Sequence, residues 1–272
     1  MSIAAFFDLD GTLLPGPSLE RRFRRFLRWH NYLGAVAAAR WLVRFLASAG
    51  RDPLAAAHSN KACYAGVPAS TLADFAASLL RHPPPVYCDA LARMDWHAAR
   101  GHRILVITGS LDPLASAVLS PLSAQLVTNR ASLSFAANQL EIRNTRFTGR
   151  LAGPAVCGPE KARAIKRLAL ALHLDLARCY AYSNGFTDRW MLATVGFPAV
   201  VNPDALLEFR ARRQGWPILR WASLSSGCEE RLAQPPAPQA PGEQHHTRPD
   251  AATCNSSVES GDCACLSEPG AG

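Results

Sequence analysis

The sequence predicts an α/β fold, a parallel buried sheet with a helical insert after its first strand. Three observations predict it. Short apolar runs recur at 3 to 7 (IAAFF), 103 to 107 (RILVI), 179 to 183 (CYAYS) and 198 to 202 (PAVVN). Helix-like segments separate them, the alternation expected of a parallel sheet. A long helical stretch also lies between the first run and the second.

Taken in order, the first run is the first strand and leads into FFDLDGTLL. Next comes SLERRFRRFLRWHNYLGAVAAARWLVRFLASAG, with Ser18 as N-cap and Gly50 as stop. Its apolar positions recur at Phe23, Phe26, Leu27, Tyr32 and Leu33, which predicts a long helical region. Helical stretches continue near 53 to 64 and 69 to 81 until HPPPV breaks them. The expected division is a core of residues 1–15 and 84–224, a helical cap of 16–83 and a disordered tail of 225–272. Residues 131 to 150 alternate weakly around Asn and Gly turn signals, predicting a small hairpin. The tail changes to Pro, polar and small residues, the composition of disorder.

At 272 residues and 49% hydrophobic content, the chain buries a substantial core as one domain with an insert or two small domains. Basic side chains are almost all arginine: 26 against three lysines, Lys61, Lys161 and Lys166. A lysine inside a motif therefore carries weight. The net charge of +8 divides into −5 for residues 228 to 272 and +13 for the rest. A field of that sign favours anionic ligands. No recognised nucleic-acid module accompanies it, so no specific nucleic-acid partner is expected. Arg40 and Arg44 interrupt the best apolar stretch, so no transmembrane segment is expected. The N-terminus lacks a basic n-region, which together with cysteines in no scaffold spacing predicts a cytoplasmic protein with reduced thiols. His245, His246, Cys254, Cys263 and Cys265 match no zinc pattern, and the Asn255 sequon has meaning only in a secreted protein.

The chemistry begins with Asp8 and Asp10, two carboxylates at the C-terminal end of the first strand, followed by Gly11 and Thr12. In open α/β sheets ligands bind beyond that end. Two acids one residue apart suit one as nucleophile or metal ligand and the other as proton donor. DLDGTLL resembles the first signature of the haloacid dehalogenase superfamily of phosphotransferases. ILVITGS resembles the second, GPEKARAI the third and YSNGFTDRWML the fourth, and TGRLAGPAVCGPEKA resembles the phosphoserine-phosphatase-like branch with a helical cap. The resemblance covers roughly residues 3 to 220, with the four motifs agreeing in order and separation.

The resemblance implies a Rossmann-like core and a phosphomonoester hydrolase. It implies Asp8 as nucleophile, forming an aspartyl-phosphate, and Asp10 as general acid and base. Thr108, Gly109 and Lys161 are then the phosphate-binding residues. Mg²⁺ is the implied cofactor, held by Asp8, the Asp10 carbonyl and the fourth motif, where Asn184 stands in place of the usual acid and Asp188 supports. An amide oxygen still fills a vertex of an octahedral site. Losing one charge at about 4 Å removes roughly 4 kcal/mol before desolvation, or ~1 to 3 kcal/mol net, about tenfold to a hundredfold in metal affinity. Two readings stand at this point: a slower phosphatase that needs more magnesium, or a pseudophosphatase that binds phosphorylated ligands or a partner protein without turnover.

The implied substrate is a small phosphorylated anion. Phosphoserine is disfavoured, because the family's amine-binding acid falls on Pro17, with Glu20 three residues further on. RRFRRFLRW places Arg21, Arg25 and Arg28 on one helical stripe with Arg22 beside it. Such a stripe is either a solvated face or a peripheral contact with an anionic membrane.

Overall fold

The computed structural model describes residues 1–48, 50, 53–125 and 133–222. Strand β1 (Ala4–Phe7) is followed by helices α1 (Leu19–Trp29), α2 (Ala35–Ser48), α3 (Pro53–Ser59), α4 (Ser70–Arg81) and α5 (Cys88–Ala99). Then come β2 (Arg103–Leu111), α6 (Asp112–Gln125), β3 (Leu133–Asn138), β4 (Leu140–Arg143), β5 (Arg146–Leu151) and α7 (Pro159–Ala171). The order closes with β6 (Tyr180–Ser183), α8 (Arg189–Leu192), β7 (Phe197–Val201), α9 (Ala205–Gln214) and β8 (Ile218–Leu219).

Six strands form one parallel sheet in the order β3-β2-β1-β6-β7-β8. All four residues of β1 are buried, because helices cover both faces of the sheet. Successive side chains point to opposite faces. Ala5, Phe7, Ile104, Val106 and Tyr182 therefore pack into one apolar layer, and Ala4, Phe6, Leu105, Ile107 and Ala181 into the other. The first layer continues into the inserted helices through Leu19, Phe23 and Leu27 of α1 and Phe75 of α4.

The structure departs from the expected elements in three places. The long helical region is broken into two helices, α1 and α2. Asn31 takes the left-handed conformation, φ 59°, after the last turn of α1. The Tyr32 N–H then reaches the Leu27 carbonyl at 2.8 Å and the Asn31 N–H the Arg28 carbonyl at 3.0 Å, a Schellman closure. The hairpin over 131 to 150 is shorter than predicted. Leu133–Asn138 joins the edge of the parallel sheet, and only β4 and β5 pair antiparallel, around Asn144 and Thr145 at positive φ. Cys88 is disulfide-bonded, against the expectation of reduced thiols, whereas Cys63 and Cys179 are free. Among the described residues no helix is long and apolar enough to cross a membrane. The proposed tail, with its histidines, cysteines and sequon, lies outside the described residues.

Candidate active site

Asp8 follows the last residue of β1, and its N–H bonds the Tyr182 carbonyl of β6 at 2.9 Å. The chain then turns sharply. Gly11 adopts φ 81° and donates its N–H to the Leu14 carbonyl, while Leu13 and Leu14 both donate to the Leu9 carbonyl. This tight loop leaves Asp8 and Asp10 in the wall of one cleft of about 600 Å³.

Lys161 enters from the first turn of α7, a helix begun by Gly158 and Pro159. Its Nζ lies 2.6 Å from Asp8 Oδ1 and 2.7 Å from Asp188 Oδ2. Ser183 Oγ donates to the same Asp188 oxygen at 2.6 Å, and all four side chains are buried. Burial pushes the Asp8 carboxyl up to about 7 against the pull of Lys161, with Asp188 and Asp10 adding to the rise. Burial alone would lower Lys161, but Asp188 and Asp8 reverse it and hold the ammonium charged.

Asp10 is held differently. Ser110 Oγ donates to Asp10 Oδ2 at 2.5 Å and the Leu19 N–H to Oδ1 at 2.8 Å, fastening the start of α1 to the C-terminal end of the sheet. Burial raises its pKa, and those two hydrogen bonds oppose the rise. Thr108 sits behind this pair, fully buried, its Oγ1 accepting the Ser110 N–H at 3.0 Å. That bond uses a lone pair of the hydroxyl and leaves its proton to donate. The Gly109 carbonyl accepts from Asn138 Nδ2 at 2.7 Å, and Asn138 Oδ1 accepts the Val156 N–H at 2.7 Å. Asn138 thus ties the C-terminal part of β2 to the approach to α7.

Asn184 lies directly over Gly11. A Cβ at Gly11 would stand 2.2 Å from Asn184 Nδ2, so only glycine permits this approach. The Thr12 hydroxyl lies 3.3 Å from Asp8 Oδ2 and 3.4 Å from Asn184 Oδ1, so these two oxygens converge on one small group. Among the described residues no cluster of three or more His, Cys, Asp or Glu is arranged to hold a metal. The oxygen set of Asp8, Asp10 and Asn184 nevertheless fits a hard divalent cation, with an amide supplying one vertex.

Asp8, Asp10, Gly109, Lys161, Asn184 and Asp188 all line this cleft, and Thr108 stands immediately behind it. Pro17 is exposed and outside its wall. Glu20 is in the wall, but its carboxylate is engaged by Lys61 Nζ at 2.5 Å and the Tyr64 hydroxyl at 3.0 Å. The motifs do not by themselves single out Ser110, Ser183 or Asn138. Ser110 and Ser183 lie inside the second and fourth motifs, which is a legible signal, whereas Asn138 lies inside the segment predicted to be a hairpin.

A family model described as haloacid dehalogenase-like hydrolase matches residues 5–193, from β1 past Asp188. The chain belongs to this family. Among its relatives, the "Inhibition of morphological differentiation protein" of Streptomyces azureus is 32% identical over 79% of this chain and 77% of its own length. "Phosphoserine phosphatase SerB1" of Mycobacterium tuberculosis is 30% identical over 80% of this chain and 70% of its own. A solved structure of a Bordetella pertussis protein of unknown function shares the fold, with TM-score 0.60 and 22% identity over 80% of this chain and 98% of that one.

Proposed function

We propose that this member of the haloacid dehalogenase-like hydrolases is a magnesium-dependent phosphatase that hydrolyses small phosphomonoesters through an aspartyl-phosphate on Asp8. The observation that carries the reading is the buried Asp8–Lys161–Asp188 triad beside a separately held Asp10. Relatives named as phosphatases support the class of reaction.

In this reading an Asp8 oxygen attacks phosphorus in line with the leaving oxygen, and the phosphoryl group passes to the carboxylate. Asp10, whose proton is held more tightly than in water, protonates the departing alkoxide. It then takes a proton from the water that cleaves the acyl-phosphate. Lys161, Thr108 and Gly109 supply donors for charge spread over the equatorial oxygens, which is most of what phosphoryl transfer requires. Asp188 and Ser183 keep Lys161 charged and aimed. A magnesium ion held by Asp8, the Asp10 carbonyl and Asn184 would neutralise phosphoryl charge when bound.

Asn184 favours a weakened metal site, the feature that also motivates a non-catalytic reading. A magnesium titration of p-nitrophenyl phosphate hydrolysis separates the two. The half-saturating magnesium concentration should fall about tenfold to a hundredfold in Asn184→Asp. Absence of turnover by the natural protein at every magnesium level would overturn the enzymatic reading.

A further inference from the structure

From Arg21 to Arg51 the sequence contains eight arginines and no acid. Within this stretch, α2 packs inward through Ala37 and the half-buried Trp41 and Phe45. Its opposite face is apolar as well. Val36, Leu42, Val43 and Leu46 are 64%, 51%, 68% and 68% exposed, and Ala39 and Ala47 lie among them. At ~100° per residue, Val36, Val43 and Leu46 fall within about 80° of one another. A helix apolar on its solvent side is normally one that something else covers.

The surroundings say what covers it. Arg40 and Arg44 border the face, and the adjoining α1 exposes Arg21, Arg25 and Arg28. Among the described residues none of these arginines pairs with a carboxylate. Trp29 and Tyr32, at the turn between the helices, are 83% and 44% exposed. Aliphatic side chains on a helix, arginines at its border and aromatics with polar tips beside it are the parts of an interfacial membrane helix. A second copy of the chain would set these arginines against themselves, which disfavours self-pairing. We propose that α1 and α2 form a docking surface for an anionic phospholipid bilayer.

The inward side of α2, behind this surface, adjoins the catalytic cleft. A second cavity of about 300 Å³, lined by Leu33, Ala37, Ala38 and Cys63, shares Arg24 and Trp41 with the first.

The test is sedimentation of the full chain with vesicles of phosphatidylcholine alone or mixed with phosphatidylglycerol. The chain should sediment with the mixed vesicles, less so as salt rises, and not with phosphatidylcholine alone. Val43→Asp/Leu46→Asp should weaken retention more than about tenfold, since two exposed aliphatic anchors are lost. Hydrolysis of p-nitrophenyl phosphate should be unchanged, because neither residue touches the cleft. Arg25→Gln/Arg28→Gln should reduce the preference for anionic vesicles. Equal retention on both vesicles, no retention on either, or retention indifferent to the Val43/Leu46 pair would overturn the proposal. So would a concentration-dependent dimer, dispersed by that pair, in a chain that ignores vesicles. Vesicle binding needs no catalysis, so its failure leaves the phosphatase reading intact.

Discussion

Lys161 is the residue on which the polar interior depends. It neutralises two buried carboxylates at 2.6 and 2.7 Å, and replacing it with Met leaves both without their cation. Breaking a buried pair of this kind costs about 3 to 5 kcal/mol. The lower end is expected here, since Asp8 already sits near neutrality and escapes much of the cost by taking up a proton. Denaturant titration of Lys161→Met checks this, and a loss under about 1 kcal/mol would contradict the account. Asp8, Asp10, Lys161, Asn184 and Asp188 were all legible in the sequence, because each is a charged or amide residue inside a short spaced motif. Asn138 was not. Its importance comes from bonds to Gly109 and Val156, segments that only the fold brings together. The roles of Ser110 and Ser183 likewise depend on which acid each one faces.

At the scale of elements, the strands were readable because a sheet covered on both faces leaves uninterrupted apolar runs. The break between α1 and α2 was harder to read. The apolar pattern runs through it, and the stop is one residue, Asn31, whose left-handed conformation closes α1. Asn31→Ala should cost about 1 kcal/mol, whereas Asn31→Gly should be neutral or slightly stabilising. Thermal unfolding of both variants tests this, and equal losses would assign the break to packing alone. The sequence reads β3 as a hairpin arm for a related reason. An edge strand alternates like a hairpin arm, and only the sheet tells them apart.

Helix α5 supplies a pH effect. His97 is fully buried, its Nε2 lies 2.9 Å from the Tyr182 hydroxyl, and burial holds its pKa well below the ordinary 6.5. The unfolded chain therefore takes up a proton that the folded one refuses. Stability from His97 is present above about 6.5 and is lost as pH falls below it, by up to ~1.4 kcal/mol per pH unit. Asp8 acts with the opposite sign, its contribution present in acid and lost as pH rises through about 7. The comparison with His97→Phe isolates the histidine. The stability gap between wild type and variant should narrow from neutral pH toward pH ~5, and a constant gap would contradict the assignment.

For the whole molecule, the order of elements explains why one end of one sheet carries the chemistry. β1, β2 and β6 are adjacent and parallel, so Asp8, the Thr108 to Ser110 segment and the Ser183 to Asp188 segment emerge together. α7 then needs only its first turn to deliver Lys161. The basic body fits the same picture, since a field of that sign draws phosphate esters toward a cleft that holds more carboxylates than lysines. The account rests on a phosphoryl group passing to Asp8. Acid quenching during turnover of a phosphomonoester, followed by mass spectrometry of the peptide containing Asp8, measures this directly. One phosphoryl group on Asp8, removed by hydroxylamine and missing along with turnover in Asp8→Asn, is the expected result. Continued turnover in Asp8→Asn would contradict it.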